Sequence, residues 1–172
     1  MREPRVIAIS LAFLAASVAS AEWASIPTAS LAADSDLIVV AELSSHEAVE
    51  RFDRTYESAD LRVRQVIHGR VRAGEILRLQ WDNETTIACP RVVHADAVGR
   101  THVWLLKFAA HSTVRADYPG RRSDLTRFAV EGALREIRNH KPLSSHRVVE
   151  ALAEHLSNVL AELPETDEPV QD

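Results

Sequence analysis

The chain has 172 residues, eight histidines, one cysteine and a formal net charge of −5 at neutral pH. A mildly acidic chain has no general attraction for nucleic acid or for an anionic lipid surface, and a single cysteine excludes an intramolecular disulfide. The length suits one ordinary domain with a sizeable hydrophobic core.

The first 21 residues have the pattern of a secretory signal peptide. Arg2 and Arg5 precede an apolar run over residues 6–16, and Ala19-Ser-Ala21 resembles a small-residue cleavage site. The run is shorter than the ~20 apolar residues that a membrane span needs, although an uncleaved anchor is the alternative. We predict cleavage after Ala21, which leaves 151 residues with a net charge of −6. The expected location is periplasmic or secreted, with no membrane span in the mature form.

Two apolar runs predict strands that are covered on both faces. They are residues 37–43, with the sequence Leu-Ile-Val-Val-Ala-Glu-Leu, and residues 101–108. In the first run, we expect Leu37, Val39 and Ala41 to face the core of the sheet. Ile38 and Val40 then face a helix, and the closing helix described below is the candidate, through Leu152, Leu156 and Leu163.

Two alternating runs predict a hairpin with one buried side. In residues 59–67, Ala59, Leu61, Val63 and Ile67 share one predicted face, and in residues 75–81 the shared face holds Leu77, Leu79 and Trp81. The glycines at 69 and 74 lie between the two runs and indicate a turn.

The remaining segments are less regular. Residues 28–33 favour a short helix with Leu31 beneath the first strand, and residues 44–58 read as a polar connection, partly helical, anchored by Phe52 and Tyr56. Residues 111–123 read as a loop. For residues 126–137 we favour a hairpin over a helix, because the apolar residues would spread around a helix axis and Gly132 would cost a helix ~1 kcal/mol.

The best-defined element is an amphipathic helix over residues 145–163, which Pro164 ends. Serines precede it as candidate N-caps. Its apolar positions recur every three or four residues: Val149, Leu152, Leu156, Val159, Leu160 and Leu163. We predict a single domain over residues 22–163 and a disordered acidic tail over residues 164–172.

Six pieces of sequence in a fixed order resemble a known family. The pieces are residues 33–42 (ADSDLIVVAE), 61–69 (LRVRQVIHG), 76–79 (ILRL), Cys89-Pro90, Gly99 and 103–106 (VWLL). In this order the chain resembles bacterial proteins with a barrel like that of tissue inhibitors of metalloproteinases and netrin-type modules. The resemblance implies a mainly β, α+β fold: a small antiparallel OB-like barrel with a C-terminal amphipathic helix packed on it.

The chain departs from that family where inhibition takes place. The inhibitors chelate a protease's zinc through an N-terminal cysteine, whereas the predicted first residue here is Glu22, and Cys89 has no partner for the family's disulfides. The resemblance therefore implies a fold and no inhibitory residues.

No catalytic, cofactor-binding or metal-binding residue is assigned from the sequence. The histidines, at positions 46, 68, 94, 102, 111, 140, 146 and 155, include no pair four residues apart, so a zinc-protease helix is not indicated. His94 and His102 flank a loop and could approach each other. Either one could serve as a base for Cys89, which otherwise is a buried small hydrophobic residue.

A basic edge is expected at Arg62, Arg64, Arg70 and Arg72. Single-stranded nucleic acid binds where aromatic rings are interleaved with such charges, and the face that carries Arg62 and Arg64 has none. We interpret this edge as a solvated face and expect no nucleic-acid partner.

The function expected from the sequence is that of an exported, non-enzymatic binding or interaction module without a cofactor. Its expected partner is another envelope or secreted protein, met through the barrel rim or the loop over residues 82–100. One alternative is a small exported hydrolase that uses Cys89 with a nearby histidine. A further alternative is a protease inhibitor of altered mechanism.

Overall fold

The computed structural model describes residues 26–52, 54–84, 91–110, 112–140 and 146–165. The fold is α+β, as the sequence predicts. The helices are α1 (Thr28–Ala33), α2 (Arg127–Asn139) and α3 (His146–Glu162). The strands are β1 (Leu37–Leu43), β2 (Glu47–Arg51), β3 (Arg54–His68), β4 (Ile76–Glu84), β5 (Thr101–Ala110), β6 (Thr113–Arg115) and β7 (Arg122–Ser123).

The strands form one seven-stranded sheet whose pairings return to their starting point. β1 pairs with β3, β3 with β4, β4 with β6, β6 with β5, and β5 with β1. The β4–β6 pairing is parallel, and the other four are antiparallel. β2 adds to the edge of β3, and β7 adds to β5.

The two faces of β1 and β5 contribute to two separate hydrophobic clusters. In β1, Leu37, Val39, Ala41 and Leu43 join the cluster inside the sheet. Ile38 and Val40 join a second cluster with residues of the three helices, among them Leu152 and Leu156 of α3. The prediction that the first strand is covered on both faces is confirmed, and so is the predicted covering helix, with Leu163 partly buried at its end.

The predicted hairpin of β3 and β4 is present, and one residue in it was placed on the wrong face. Ala59, Leu61 and Val63 point into the inner cluster, but Ile67 packs against the outer cluster. The β1–β3 register shifts twice between Ile38 and Ala41. Such bulges insert an extra residue and reverse the alternation beyond them.

Residues 126–137 form a helix, so the hairpin prediction is wrong. The Thr126 hydroxyl accepts a hydrogen bond from the Ala129 amide and caps α2. Val130 and Ala133 are buried against the outer cluster, with Leu134 and Ile137 packed beside them. These four positions follow the three-to-four residue period of a helix, and the misleading residue was Phe128, which is exposed.

Two further predictions are corrected. Residues 44–58 are not a partly helical connection but contain β2 and the start of β3, and their supposed anchors Phe52 and Tyr56 are exposed. The segment over residues 111–123, predicted as a loop, contains the short strands β6 and β7. Neither region has an alternating apolar pattern, so the sequence does not indicate these strands.

The helices at the two ends match the sequence closely. α1 occupies residues 28–33 with Leu31 buried, and α3 follows the predicted helix to within one residue at each end. Among the described residues, no helix combines the length and apolar character that crossing a membrane requires. The predicted signal peptide, most of the acidic tail and Cys89 lie outside the described residues.

Candidate functional site

A two-stranded arm extends from the hairpin of β2 and β3. Glu47 pairs with Ser58 and Arg51 pairs with Arg54, so that only residues 52 and 53 connect the strands. We call residues 47–52 and 54–58 the hairpin arm. All five residues of β2 are exposed, and β3 in this region is paired on its other side with β4. The arm is therefore held in place by the sheet although its first strand lies open to solvent.

A cleft of about 550 Å³ lies on the outer face of this arm. Tyr56 and Ser58 of β3 pair with Asp82 and Gln80 of β4, and they alternate with residues that point into the inner cluster. We call this space the arm cleft. Its walls come from β2, the turn, β3, β4 and β6: Val49, Arg51, Phe52, Tyr56, Glu57, Ser58, Gln80, Trp81, Asp82 and Arg115.

Three exposed apolar side chains line the arm cleft. Val49 and Tyr56 are each about half exposed, and Phe52 is fully exposed at the turn. Phe52 also has a φ of +56°, a conformation that hairpin turns usually assign to Asn or Gly. A large aromatic residue is thus presented to solvent in a backbone conformation that is unfavourable for it, and such strain at an exposed position points to a functional role.

Ionic contacts connect three strands at the floor of the arm cleft. The Asp82 carboxylate accepts hydrogen bonds from Arg54 Nη1, at 2.5 Å, and from Arg115. Arg115 Nε also donates to Asp117 at 2.7 Å, and the bond to Asp117 is the main reason that the pKa of Arg115 is raised. These contacts tie β3, β4 and β6 together across the outer face of the sheet.

The lining of the arm cleft has no excess of either charge. Arg51 and Arg115 contribute two positive charges, and Glu57 and Asp82 contribute two negative charges. A cleft of this kind has no electrostatic preference for a strongly acidic or a strongly basic ligand. Recognition here has to depend on shape, apolar contact and local hydrogen bonding.

Histidines and tryptophans alternate in a connected series that runs from His46, past Trp81 of β4, to Trp104 and His102 of β5. His46 stacks on Trp81, with ring centroids 5.7 Å apart, and Trp81 meets His94 edge to face at 5.2 Å. Trp104 then contacts His94 at 5.2 Å and His102 at 6.0 Å. His94 and His102, the two histidines that the sequence suggested could approach each other, both contact the ring of Trp104.

The two buried histidines of this series are held neutral. His94 Nε2 donates to the Ala116 carbonyl at 2.9 Å, and burial lowers the pKa of His94 to about 4. Burial also lowers the pKa of His102, whose Nε2 lies 2.8 Å from Asp124. Both side chains pack tightly against aromatic rings, as structural histidines do.

Two kinds of chemistry concern the histidines: metal binding, and activation of a thiol. Within the described ranges, no group of three or more histidine, cysteine, aspartate or glutamate side chains could hold a metal ion. Cys89 and Glu22 lie outside those ranges, so a thiol–histidine pair and an inhibitory N-terminus both stay predictions. The basic edge is exposed at all four arginines, and Arg64 bonds Glu42.

The arm cleft was not predicted from the sequence. Phe52 and Tyr56 were noticed as large residues in a polar segment, and large apolar residues were taken as anchors. The sequence does contain one signal for this part of β3. The strand alternation that begins at Ala59 can be extended towards the N-terminus, and it then places Tyr56 and Ser58 on the face opposite Thr55 and Glu57. Because neither face is consistently apolar, that alternation is weak.

Comparison with known proteins adds no functional assignment. No model of a known protein family matches the chain, and no curated protein matches it either. The case for the arm cleft therefore depends on its geometry.

Proposed function

We propose that the protein is an exported, non-catalytic interaction module built on an OB-like barrel, and that its partner is another protein of the envelope or the secreted fraction. The closed circuit of pairings β1–β3–β4–β6–β5–β1 supports the barrel, since an antiparallel sheet with one parallel pairing can close in this way. The signal-like N-terminus supports export.

The position of the arm cleft agrees with this proposal. OB folds bind their ligands on the outer face of their second and third barrel strands and on the adjoining loops. In the circuit proposed here those strands are β3 and β4, whose outward side chains Tyr56, Ser58, Gln80 and Asp82 line the arm cleft. The loop preferred from sequence, residues 82–100, begins at the same end of β4.

The observation that carries the proposal is Phe52. A fully exposed aromatic side chain at the tip of a hairpin, beside the half-exposed Tyr56 and Val49, is a suitable anchor for an apolar pocket on a partner. Protein interfaces are enriched in phenylalanine, tyrosine and arginine, and Arg51 adjoins Phe52 in the chain. The pairing of β2 with β3, and of β3 with β4, holds the backbone that carries these side chains in place before a partner binds.

The test is partner capture with matched variants. The immobilised mature protein, Phe52→Ser and Tyr56→Ser are each exposed to the native envelope and secreted fractions. Phe128→Ser is the control, because Phe128 is a strongly exposed phenylalanine on α2, outside the arm. We expect a partner retained by wild type and by Phe128→Ser, with affinity about tenfold or more weaker for Phe52→Ser.

Two results would contradict the proposal. One is a partner that the arm variants and the control retain equally, which would place the interface elsewhere. The other is the loss of the partner from the control alone. Isothermal titration with the purified partner then measures the affinity of each variant, and circular dichroism establishes that each variant is folded.

A further inference from the structure

The outer edge of β2 is open. β2 pairs with β3 along one side, and no strand among the described residues pairs with its other side. The neighbouring part of the same edge is closed, because β1 is covered by β5 as far as the pair of Glu42 and Thr101. An open edge presents unpaired backbone N–H and C=O groups and can pair with another strand.

The turn determines which backbone groups point outward. Arg51 and Arg54 flank a two-residue turn, so they form a hydrogen-bonded pair, and such pairs recur at every second position. Val49 and Glu47 therefore direct their backbone groups towards β3. Ala48 and Glu50 direct theirs towards the open edge.

The sequence of β2 is complementary to itself in the antiparallel direction. We propose that two copies of the chain associate by antiparallel pairing of their β2 strands about a twofold axis at Val49. In this register Ala48 of each copy lies opposite Glu50 of the other, and their outward backbone groups form the hydrogen bonds. Val49 lies opposite its own counterpart.

The side chains match in the same register. Glu47 of each copy lies opposite Arg51 of the other, on the face that also carries Val49. Among the described residues Arg51 has no ion-pair partner, and the Glu47 side chain is 68% exposed although one oxygen bonds Arg78 Nη2 at 2.6 Å. Two identical ion pairs would thus flank a central apolar pair, as a twofold interface requires.

The pairing also accounts for the exposed apolar residues of the arm. Val49 neighbours Tyr56 across the β2–β3 pair. In the dimer the row Tyr56–Val49 of one copy continues directly into Val49–Tyr56 of the other, so that the two Val49 side chains contact each other and two half-exposed patches become one continuous strip. The two arm clefts become neighbours on one continuous sheet face. Association of two copies does not require a ligand in either cleft.

Charge reversal tests the register. Sedimentation velocity of the purified mature protein, over about 10 µM to 1 mM because the interface is small, should show a concentration-dependent dimer. Arg51→Glu and Glu47→Arg each place like charges opposite one another, so either should weaken dimerisation about tenfold. An equimolar mixture of the two variants places opposite charges together again and should dimerise as wild type does.

Two further variants separate the edge from general charge and from folding. Ala48→Pro removes an N–H that points away from β3, so it should abolish the dimer and leave the circular dichroism spectrum unchanged. Glu154→Arg, at an exposed position of α3, is the control and should leave the dimer intact. A wild-type protein that stays monomeric throughout would overturn the proposal. So would single variants that dimerise normally, or a mixture that does not recover.

Discussion

At the scale of the residue, His94 shows how a core position controls the response to acid. It is fully buried between the rings of Trp81 and Trp104, and its Nε2 proton is used by the Ala116 carbonyl. The imidazole can be protonated only at a nitrogen that has no partner among the described residues. The folded protein therefore prefers the neutral form.

This preference predicts that stability decreases as the pH falls from about 6.5 towards 4. The pKa of His94 is about 4 in the folded protein, against an ordinary value of 6.5, so in this window the unfolded chain binds more protons. Preferential protonation of His94 in the unfolded chain lowers the free energy of unfolding by up to about 3 kcal/mol across this window. His102 and His155, whose pKa values burial also lowers, act in the same direction. Urea unfolding at several pH values measures the slope.

His94→Gln is the matched variant, since an amide can still donate to the Ala116 carbonyl and does not titrate. Its unfolding free energy should depend less steeply on pH than that of wild type between pH 4 and 6.5. The carboxyl groups with lowered pKa, such as Asp34 and Asp96, lose their contributions only at lower pH. Equal slopes for the variant and wild type would refute this account of His94.

At the scale of the element, the side chain of Arg127 adds hydrogen bonds between α2 and the end of α3 to the apolar packing of the two helices. The Arg127 guanidinium in the first turn of α2 donates to the carbonyl of Leu160 in the last turn of α3, at 3.4 Å, and to those of Leu163 and Pro164 just beyond it, at 2.7 Å and 2.6 Å. The last carbonyls of a helix have no partner within the helix, and a cation there also suits the helix dipole. Arg127 therefore closes the end of α3 and fixes it against α2.

Arg127→Ala should lower the free energy of unfolding by about 1–3 kcal/mol, because hydrogen bonds from a charged donor are lost at partly buried carbonyls. Arg127→Lys keeps the charge without the planar fork and should recover only part of that loss. Urea denaturation of the three proteins gives the comparison. If the alanine variant were as stable as wild type, the contact would have no structural importance.

The sequence predicts those helices and strands in which one face consists mainly of apolar, buried residues. β1, β4, β5 and α3 each place large aliphatic residues at a regular period, and each was found. α2 was missed because Phe128 faces solvent and disguises the stripe of Val130, Ala133, Leu134 and Ile137. β2 was missed because an exposed strand has no apolar face to reveal it, so Phe52 and Tyr56 appeared to be anchors. The arm cleft depends on those two residues, and for that reason it was not predicted.

At the scale of the whole molecule, two hydrophobic clusters share the same two strands. Residues of β1 and β5 alternate between the cluster inside the sheet and the cluster beneath the helices. If β1 or β5 left the sheet, apolar residues of both clusters would become exposed. The sheet and the helices are therefore expected to unfold together.

Val39→Asp tests this coupling. Val39 is fully buried in the inner cluster between β3 and β5, and a carboxylate there has no partner. The variant should lose both its sheet and its helices at 25 °C, as measured by circular dichroism and by exposure of the buried tryptophans. Val49→Asp makes the same change on the exposed strand β2 and should stay folded. A Val39→Asp protein that kept its helices would show that the two layers are independent.

The strand pairings in the closed circuit differ greatly in length. β3 and β4 pair over nine residues, whereas β6 pairs over three residues with β5 and over three with β4, the latter from Arg78 with Thr113 to Gln80 with Arg115. The ionic contact of Arg115 with Asp82 spans this short join at the floor of the arm cleft. Local opening of the sheet is expected to begin at β6, because its two pairings in the circuit have the fewest backbone bonds to break. Asp82 belongs both to the lining of the arm cleft and to this ionic contact, so the surface of the cleft and the shortest part of the circuit share one side chain.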